Sequence, residues 1–340
     1  MTTGGGPGLP AILRSLKQSD LYDVRTILCD INPATGNFFL PDVDARYIIP
    51  PYHNSDFIES LISLVKRENV DYFYSGLDEE IPVISANQNL FEQAGCKLLI
   101  PSVSALEKAW DKALMWKNLN SFVRQPRSWL LSSIGDGVEQ FNELSGRVII
   151  KVSKSRGGRL IFMPENREEF DFYLNKARRL WNEHGNDFLI QEFIEGDEYN
   201  VSTLFDLNGQ CIYAVSRRKF ETRKIKSTTT AAVIERNDDV IKQAISALEK
   251  LGLNKGFNNV EIIVSKVDGL PYLIEINGGR TAAQDMNIVA SGINVTDLMI
   301  SILKGRDVQP VEHPVDGLAS LKIRMDMIVN MEEIESVNKI

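Results

Sequence analysis

The chain has 340 residues, 43% of them apolar, and its 38 lysines and arginines face 46 aspartates and glutamates, for a net charge of −8. This length exceeds one ordinary hydrophobic core, so two or three domains are expected. The acidic balance argues against a protein dedicated to nucleic acid or to anionic membranes, and no apolar run approaches the roughly 18 residues of a membrane span.

From residue 25 to about 120, short apolar runs alternate with amphipathic segments, a pattern typical of an open parallel α/β sheet. The predicted strands are 25–30, 70–75 and 97–100, and the predicted helices are 56–68, 81–94 and 102–118. Ser104 and Glu107 have the spacing of a capping box. Only three residues precede the glycine-rich turn at 4–8, so part of the expected opening strand is predicted to be missing.

After Asn120 the sequence changes to strands that carry charge, which indicates an antiparallel α+β region. The predicted strands are 147–152, 189–193, 199–206 and 211–217, and the predicted helices are 168–183, 238–251 and 296–304. Gly252 and Gly305 follow the last two helices as predicted C-caps.

Cysteine and histidine usage predicts no metal or nucleophile site. The cysteines form no C-x-x-C pair, which argues against a zinc cluster or a disulfide framework, and reduced buried thiols are expected. The histidines share no motif with each other or with a cysteine. These residues are Cys29, Cys96, Cys211, His53, His184 and His313. The N-terminus has no signal-peptide pattern, and a cytoplasmic location is expected.

Residues 259–277 contain two apolar runs around an Asp-Gly turn, a pattern that predicts a β-hairpin. With a three-residue loop at 267–269, Glu261 lies directly opposite Glu275, and Asn277 shares their face because side chains alternate along a strand. Like charges so placed repel each other, so a sheet that accepts them is expected to bind a hard divalent cation such as Mg²⁺. A solvated hairpin face is the alternative interpretation.

A second candidate site is the loop Lys151-Val-Ser-Lys-Ser-Arg-Gly-Gly-Arg159, which follows a predicted strand. Glycines let backbone N–H groups approach an anion closely, and Lys151, Arg156 and Arg159 supply positive charge, so the loop is suited to cradle phosphates. An exposed turn is the alternative interpretation.

Two further segments carry polar chemistry. Residues 191–198 follow an apolar strand and are expected to form a hinge whose main-chain groups contact an adenine edge, with Glu198 on the ribose hydroxyls. Residues 216–226 are the one strongly basic run, which is also compatible with a solvated hairpin.

Taken in order, these segments resemble the ATP-grasp superfamily, and most closely the branch that contains the large subunit of carbamoyl-phosphate synthase and related carboxylate-amine ligases. The resemblance covers nearly the whole chain. The N-terminal part is similar to the family's pre-ATP-grasp domain through four segments. These are the turn at 4–8, Cys-Asp-Ile-Asn-Pro at 29–33, Ser-Gly-Leu-Asp-Glu-Glu at 75–80 and Ala-Trp-Asp-Lys at 109–112.

The resemblance implies ATP and Mg²⁺ as cofactors, with Mn²⁺ as a substitute, and assigns a role to individual residues. The implied phosphate-binding residues are Lys112, Lys151, Ser155, Arg156, Gly157 and Gly158. The implied adenine hinge is Gln191, Glu192, Phe193 and Ile194, with Glu198 on the ribose. The implied metal ligands are Glu261, Glu275 and Asn277. The candidates for contact with the transferred phosphate and the substrate carboxylate are Arg217, Arg218, Lys219 and Arg280.

The sequence departs from the family pattern at several positions. Val152 stands where the family usually has proline, Ser155 and Leu160 replace glycines of the phosphate loop, and Gly278-Gly279 replaces the usual proline after Asn277. There is one grasp unit, with no duplicated half and no Cys-His glutaminase motif. The chain therefore resembles a single-module relative and not a complete carbamoyl-phosphate synthase.

The fold predicted from this resemblance combines α/β and α+β parts. It consists of a Rossmann-like pre-ATP-grasp domain followed by a two-lobed ATP-grasp domain. The expected boundaries are 1–101 for the first domain, 102–310 for the second, with a lid lobe at about 122–190 and a catalytic lobe at about 191–310, and 311–340 for an extension packed on the catalytic lobe.

The implied reaction is phosphorylation of a small carboxylate to an acylphosphate that an amine or similar nucleophile displaces, with release of ADP and phosphate. No side-chain nucleophile is required, which agrees with the lack of a Ser-His or Cys-His motif. The implied partners are small carboxylate and amine substrates, with a homodimer as a family expectation.

Two other classes of function remain as alternatives. An NAD-dependent oxidoreductase would use the glycine turn as a dinucleotide fingerprint and Asp30 as its ribose-binding acid, but the third position of G-x-G-x-x-G counted from Gly4 and Gly6 is Leu9. A non-catalytic ATP-binding module would use the same cleft to sense nucleotide.

Overall fold

The computed structural model describes residues 1–2, 4–154, 160–223, 226–282, 285–323 and 326–340, without the side chains of residues 221–229. The chain forms an N-terminal α/β domain, a small four-stranded lobe with its own core, and a large six-stranded antiparallel sheet. The predicted combination of α/β and α+β parts is confirmed.

The N-terminal domain is built on parallel strands. β1 (Ile27–Asp30) pairs with β2 (Ala45–Ile48), and β3 (Tyr72–Phe73) pairs with β4 (Lys97–Leu98). Main-chain hydrogen bonds of Met1, Thr2 and Gly4 to Cys29 and Tyr74 place the start of the chain between β1 and β3. The short opening segment therefore occupies the central position that the sequence pattern assigns to a first strand.

The helices of this domain are α1 (Leu9–Lys17), α2 (Phe57–Glu68), α3 (Glu80–Ala86) and α4 (Gln88–Gln93). The apolar residues of α2 recur at helical spacing and are buried against the sheet, as that periodicity predicts. The predicted helix 81–94 is in fact two helices that meet at Asn87.

Two short helices connect the N-terminal domain to the lid, α5 (Val103–Trp110) and α6 (Lys112–Leu119). The sequence predicted one helix here, but the chain breaks at Asp111, whose carboxylate accepts the N–H groups of Ala113 and Leu114 and caps α6. The predicted capping box at Ser104 was also wrong, because Ser102 is the residue that caps α5. The break makes Lys112 the first residue of a helix.

The lid lobe contains the strands β5 (Ser128–Leu130), β6 (Val148–Val152), β7 (Ile161–Phe162) and β8 (Phe188–Glu192), with the helices α7 (Val138–Glu143) and α8 (Arg167–His184). Its sheet order is β5-β8-β6-β7. The lobe has a separate apolar core that includes Ile150, Phe170 and Ile190, so it can move as a unit with little loss of packing.

The large sheet has the order β13-β12-β9-β10-β11-β14. Its strands are β9 (Gly196–Phe205), β10 (Cys211–Arg223), β11 (Lys226–Ile234), β12 (Gly256–Ser265), β13 (Pro271–Gly278) and β14 (Ala319–Leu321). The helix α9 (Asp238–Leu251) covers one face of this sheet. It ends at Gly252, which has φ +81°, so the predicted C-cap is confirmed.

The remaining elements are α10 (Met286–Ala290), α11 (Val295–Leu303), α12 (Met331–Glu335) and β15 (Asn338–Lys339). The expectation that residues 311–340 pack on the catalytic lobe describes only part of this segment. β14 extends the large sheet, whereas β15 returns to the N-terminal domain and pairs in parallel with β2.

One apolar core joins the N-terminal domain to the large sheet, because Leu61 and Leu106 belong to the same buried cluster as Val201 and Val260. These two parts therefore form a firm base, and the lid lobe is the unit that stands apart. Among the described residues, no helix is long and apolar enough to cross a membrane.

Candidate functional site

The candidate site lies on the face of the large sheet opposite α9 and is organised as one row of side chains across four strands. Glu275 on β13 lies opposite Glu261 on β12, Glu261 lies opposite Asn200 on β9, and Asn200 lies opposite Arg217 on β10. Residues directly opposite each other in a sheet point to the same face. The predicted pairing of Glu261 with Glu275 is therefore observed, and Asn277 shares that face two residues further along β13.

The pairing of Glu261 with Glu275 results from a longer loop and a β-bulge, and not from the three-residue loop that the sequence predicted. Ser265 bonds to Leu270, so the hairpin loop has one residue more than expected. A register shift between Glu261 and Ile262 adds one residue on β13 and restores the pairing of the two acids. Such a β-bulge re-aims a side chain and is often found near functional sites.

Each acid of the row has a lysine partner. The Nζ of Lys112 lies 3.2 Å from Oε1 of Glu275, and the Nζ of Lys219 forms an ion pair with Oε2 of Glu261. Lys219 also lies 3.5 Å from Oε2 of Glu198, on the adjacent strand β9. Both lysine side chains are nearly buried, at 6% and 5% exposure, so these pairs lie in a site of low dielectric where charge interactions are strong.

Burial alone would raise the pKa of the Glu275 carboxyl, but the ammonium groups of Lys112 and Lys151 outweigh it and hold that pKa below its usual value. Burial also opposes the charged form of Lys219, and the carboxylates of Glu261 and Glu198 outweigh it and raise the pKa of Lys219. The charged forms of Glu275 and Lys219 are therefore favoured.

Lys151, the fourth of the five residues of β6, is buried in the lid lobe, and its ammonium group interacts with Lys112 and Glu275. Burial, followed by repulsion from Lys112, lowers the pKa of Lys151 to about 8, although Glu275 acts in the opposite direction. Within the described part of the chain, no carboxylate forms an ion pair with Lys151. A buried cation next to a second cation is suited to bind an anion, as predicted for this residue.

The predicted adenine hinge consists of the last two residues of β8 and the two residues that follow it. Gln191 is buried and donates to the hydroxyl of Ser128, and Glu192 pairs with Arg127. The N–H of Phe193 donates to the carbonyl of Arg147, whereas none of the described residues accepts a hydrogen bond from the N–H of Ile194. Among the described residues, the N–H of Ile194 is therefore a main-chain donor available to a ligand between the lid lobe and the large sheet.

The basic run 216–226 divides between the two faces of the sheet. Lys219 lies on the face of Glu261, but Arg218 lies opposite Tyr199 on the other face and pairs with Glu235 at 2.8 Å. Arg217 lies on the site face but is fully buried. The predicted contacts of Arg218 and Arg217 with substrate or phosphate therefore do not agree with the structure, because neither guanidinium is presented to the cleft.

Arg280 lies immediately after β13 and is held by Asp78 of the N-terminal domain, with Nη2 and Oδ2 at 2.9 Å. Next to it, the hydroxyl of Tyr74 contacts both Oγ1 and the N–H of Thr281, at 2.8 and 3.1 Å. The loop that carries Arg280 is thus fixed to the N-terminal domain, and the Arg280 guanidinium is close enough to Glu275 to help lower the pKa of that carboxyl.

Three residues of the site were not found from the sequence, namely Asn200, Ser202 and Asp285. Glu198, Asn200 and Ser202 alternate along β9, and this period-two pattern of polar residues was the available signal for the first two. Asp285 gave no signal in the sequence, because its side-chain partners, Ser202 and Arg217, lie on the distant strands β9 and β10.

Asp30, which the oxidoreductase alternative assigned to ribose binding, accepts hydrogen bonds from the main chain of the glycine turn and of its own loop. Its Oδ2 accepts the N–H of Gly5 at 2.8 Å and its Oδ1 accepts the N–H of Asn32 at 3.0 Å. The predicted phosphate-loop residues Ser155, Arg156, Gly157 and Gly158, with Arg159, lie outside the described residues.

The donor atoms of the site limit the kind of metal ion that it could hold. In the described ranges, no three or more His, Cys, Asp or Glu side chains form a group that could hold a metal ion. The row offers instead two carboxylates and the amide of Asn277, all oxygen donors. This set fits a hard cation such as Mg²⁺ or Mn²⁺ that takes its other ligands from phosphates or water.

The chain matches a known domain family and is similar to a known protein. The model of the family described as the ATP-grasp domain matches residues 109–283, which is just over half of the chain. The carbamoyl phosphate synthase large chain of Campylobacter jejuni is 23% identical over 318 residues, which cover 90% of this chain and 28% of that protein. The chain thus spans less than a third of the length of this relative.

Two solved structures share the fold. A biotin carboxylase–β,γ-ATP complex from Campylobacter jejuni superposes with a TM-score of 0.69 at 20% identity, covering 89% of this chain and 70% of that one. An L-amino acid ligase from Bacillus licheniformis superposes with a TM-score of 0.65 at 16% identity, covering 88% of this chain and 73% of that one. At these identities the likeness concerns the fold.

Proposed function

Since the chain belongs to the ATP-grasp family, we propose that it is an ATP-dependent ligase that activates a small carboxylate as an acylphosphate and couples it to an amine or similar nucleophile, releasing ADP and phosphate. The carboxylate oxygen attacks the γ-phosphorus and ADP leaves. The amine nitrogen then attacks the acyl carbon, phosphate leaves, and the nitrogen loses a proton to solvent.

The observation that carries this proposal is the convergence of Glu261 and Glu275 with three nearly buried lysines, Lys112, Lys151 and Lys219. Two acids opposite each other provide oxygen donors for a cation, and the lysines provide positive charge for phosphates. Phosphoryl transfer depends mainly on positioning and on charge neutralisation, and this arrangement supplies both.

Each residue has a place in the proposed complex. Ile194 donates its N–H to adenine, Glu198 accepts from the ribose hydroxyls, and Lys112 and Lys151 bind phosphate oxygens. Mg²⁺, held by Glu261, Glu275 and Asn277, would neutralise the charge of the phosphates. The lid lobe, with its separate core, closes over the nucleotide and excludes water.

We further propose that the substrate carboxylate binds next to Arg280. Asp78 orients this guanidinium through its Nε and Nη2 atoms. A carboxylate bound there would lie near Glu275, because Arg280 is close enough to that carboxyl to help lower its pKa. The L-amino acid ligase with the same fold makes amino acids the first carboxylates to examine.

The test is an ADP-release screen of amino acids, other small carboxylates and bicarbonate, each with and without candidate amines. With the right acid, hydroxylamine should trap a hydroxamate, because an acylphosphate is electrophilic. Carboxylate labelled with ¹⁸O should transfer one label to phosphate. AMP and pyrophosphate as the products, or phosphate without label, would refute the proposed chemistry.

Tight nucleotide binding with no turnover on any acid would instead support the alternative of a nucleotide-sensing module. The homodimer expected from the resemblance stays a prediction, and sedimentation of the full chain measures it.

A further inference from the structure

Behind Glu261 lies a buried polar network centred on Arg217 and Asp285, two side chains with no solvent exposure. Nη1 of Arg217 lies 2.8 Å from Oδ1 of Asp285, and Nη2 donates to Oγ of Ser202 at 2.5 Å and to Oδ1 of Asn200. The hydroxyl of Ser202 in turn donates to Asp285 at 2.7 Å. One guanidinium thus contacts three different side chains.

This network sets the orientation of the Asn200 amide. Because the guanidinium of Arg217 has only donors, the amide oxygen must face it and the amide nitrogen must face the opposite way. That nitrogen donates to Oε1 of Glu261 at 2.9 Å and also to Oδ1 of Asn259. Glu261 therefore receives bonds from Asn200 at 2.9 Å and Asn259 at 3.5 Å on Oε1 and an ion pair from Lys219 on Oε2, which together fix the plane of its carboxylate.

The same network holds the loop that carries Arg280. Oδ2 of Asp285 accepts the N–H of Ala282 at 2.9 Å, two residues beyond Arg280. A single buried ion pair thus contacts both the residue that orients Glu261 and the loop beside the proposed carboxylate-binding site.

A purely structural role is the simpler explanation for a buried ion pair. However, such a pair is weak evidence for stability, since two charges must be taken out of water and apolar replacements are often as stable. Nε and Nη1 of Arg217 are also buried without a hydrogen-bond partner among the described residues, so Nη1 contacts Asp285 only as an ion pair. The network leaves buried polar atoms unsatisfied, which does not favour stability, and it contacts Glu261 through Asn200. These two features indicate that it positions the Glu261 carboxylate.

We propose that Arg217 and Asp285 are positioning residues for the metal-binding carboxylate Glu261, acting through Asn200. This inference rests on the proposed function, because it assumes that Glu261 binds the nucleotide-associated metal. Side chains that orient a metal ligand typically change metal affinity by about 10- to 100-fold when they are replaced.

Two variants test the inference. Arg217→Lys keeps a charge for Asp285, but its single ammonium group cannot reproduce the planar contacts to three side chains. Asn200→Ala keeps the Arg217–Asp285 pair and removes the donor to Glu261, together with the acceptor for Arg217 and the bond to Asn259. The matched controls are Arg218→Lys, the same change one residue away on the other face, and Tyr199→Phe, which removes a buried hydroxyl from the other face of β9.

The measurement is Mn²⁺ binding followed by electron paramagnetic resonance in the presence of a non-hydrolysable ATP analogue, with binding of the analogue measured separately without metal. We expect the Kd for Mn²⁺ to rise by about 10- to 100-fold in both test variants and to stay unchanged in both controls. Affinity for the analogue without metal should stay unchanged in all four.

Folded test variants with the wild-type Kd for Mn²⁺ would overturn the inference and leave the proposed function intact. If Arg217→Lys does not fold, Asn200→Ala decides alone. Wild-type protein that binds the analogue but no Mn²⁺ would overturn the proposed metal site itself, and the inference with it.

Discussion

Lys112, the first residue of α6, pairs with Glu275 on β13 across the boundary between the helical connection and the large sheet, at 3.2 Å. The negative charges of the two acids are therefore balanced by lysines of the protein itself, since Lys219 pairs in the same way with Glu261. A cation that binds these acids must share them with the lysines, and the phosphates that come with it provide the lysines with new partners.

Replacement of Glu275 by Gln keeps the shape of the side chain and removes one charge. We expect Mg²⁺-dependent turnover to fall by at least about tenfold at limiting Mg²⁺, because a metal donor and its charge are lost. Glu235→Gln is the matched control, since that carboxylate pairs with Arg218 on the other face of the same sheet. Near-wild-type activity of both Glu275→Gln and Glu261→Gln would support the alternative interpretation, in which this face of the hairpin is only solvated.

Nucleotide affinity should depend on pH through Lys151, whose pKa is lowered to about 8. Phosphate binding needs the charged form, so the affinity for an ATP analogue should decrease above about pH 8, by at most about tenfold per pH unit for one proton. Lys151→Arg should remove this dependence, because arginine stays protonated throughout that range. The same pH dependence in Lys151→Arg would assign it to another group.

The stability of the protein without nucleotide should change in the opposite direction. The folded state releases the proton of Lys151 near pH 8, whereas the unfolded chain holds it up to the usual pKa of 10.5. The unfolded state thus binds more protons in this window, and the free energy of unfolding attributable to Lys151 should rise from about pH 8 to 10.5. Thermal unfolding of wild type and Lys151→Arg across this range measures the difference, and parallel curves would contradict the prediction.

The hinge is tested at Ile194, whose N–H has no acceptor among the described residues. Ile194→Pro removes the donor, and Ile194→Ala keeps it while shortening the side chain. We expect the proline variant to bind adenosine up to about tenfold more weakly than the alanine variant, the effect of one hydrogen bond. Equal affinities, measured by calorimetry, would exclude Ile194 as the main-chain donor to adenine.

The Arg217–Asp285 pair also makes a prediction for stability. Arg217→Met leaves the carboxylate of Asp285 buried and unpaired, which should cost about 3–5 kcal/mol of the free energy of unfolding. The double variant Arg217→Met with Asp285→Asn should regain most of that loss, because the buried charge is gone. A double variant no more stable than Arg217→Met in denaturant unfolding would show that the ion pair is not the source of the cost.

Several parts of this protein could be predicted because the signal lies within one segment. The alternation of strands and helices, the periodicity of α2, and the glycine after α9 all depend on neighbours a few residues away. The pairing of Glu261 with Glu275 belongs to the same class, since a hairpin is local. That prediction was right although the loop is longer than assumed, because the bulge beside Glu261 compensates for the extra residue.

Other parts depend on strands that are distant in the sequence. In the run 216–226, alternation shows that Arg218 and Lys219 face opposite sides, but only the packing of α9 decides which side is the core. Arg217 is buried in an ion pair with Asp285. The pairing of β9 with β12 places Asn200 opposite Glu261. The sequence by itself determined the fold family and the pairing of the two acids of the hairpin. Long-range packing decided which lysine and arginine side chains contact those acids.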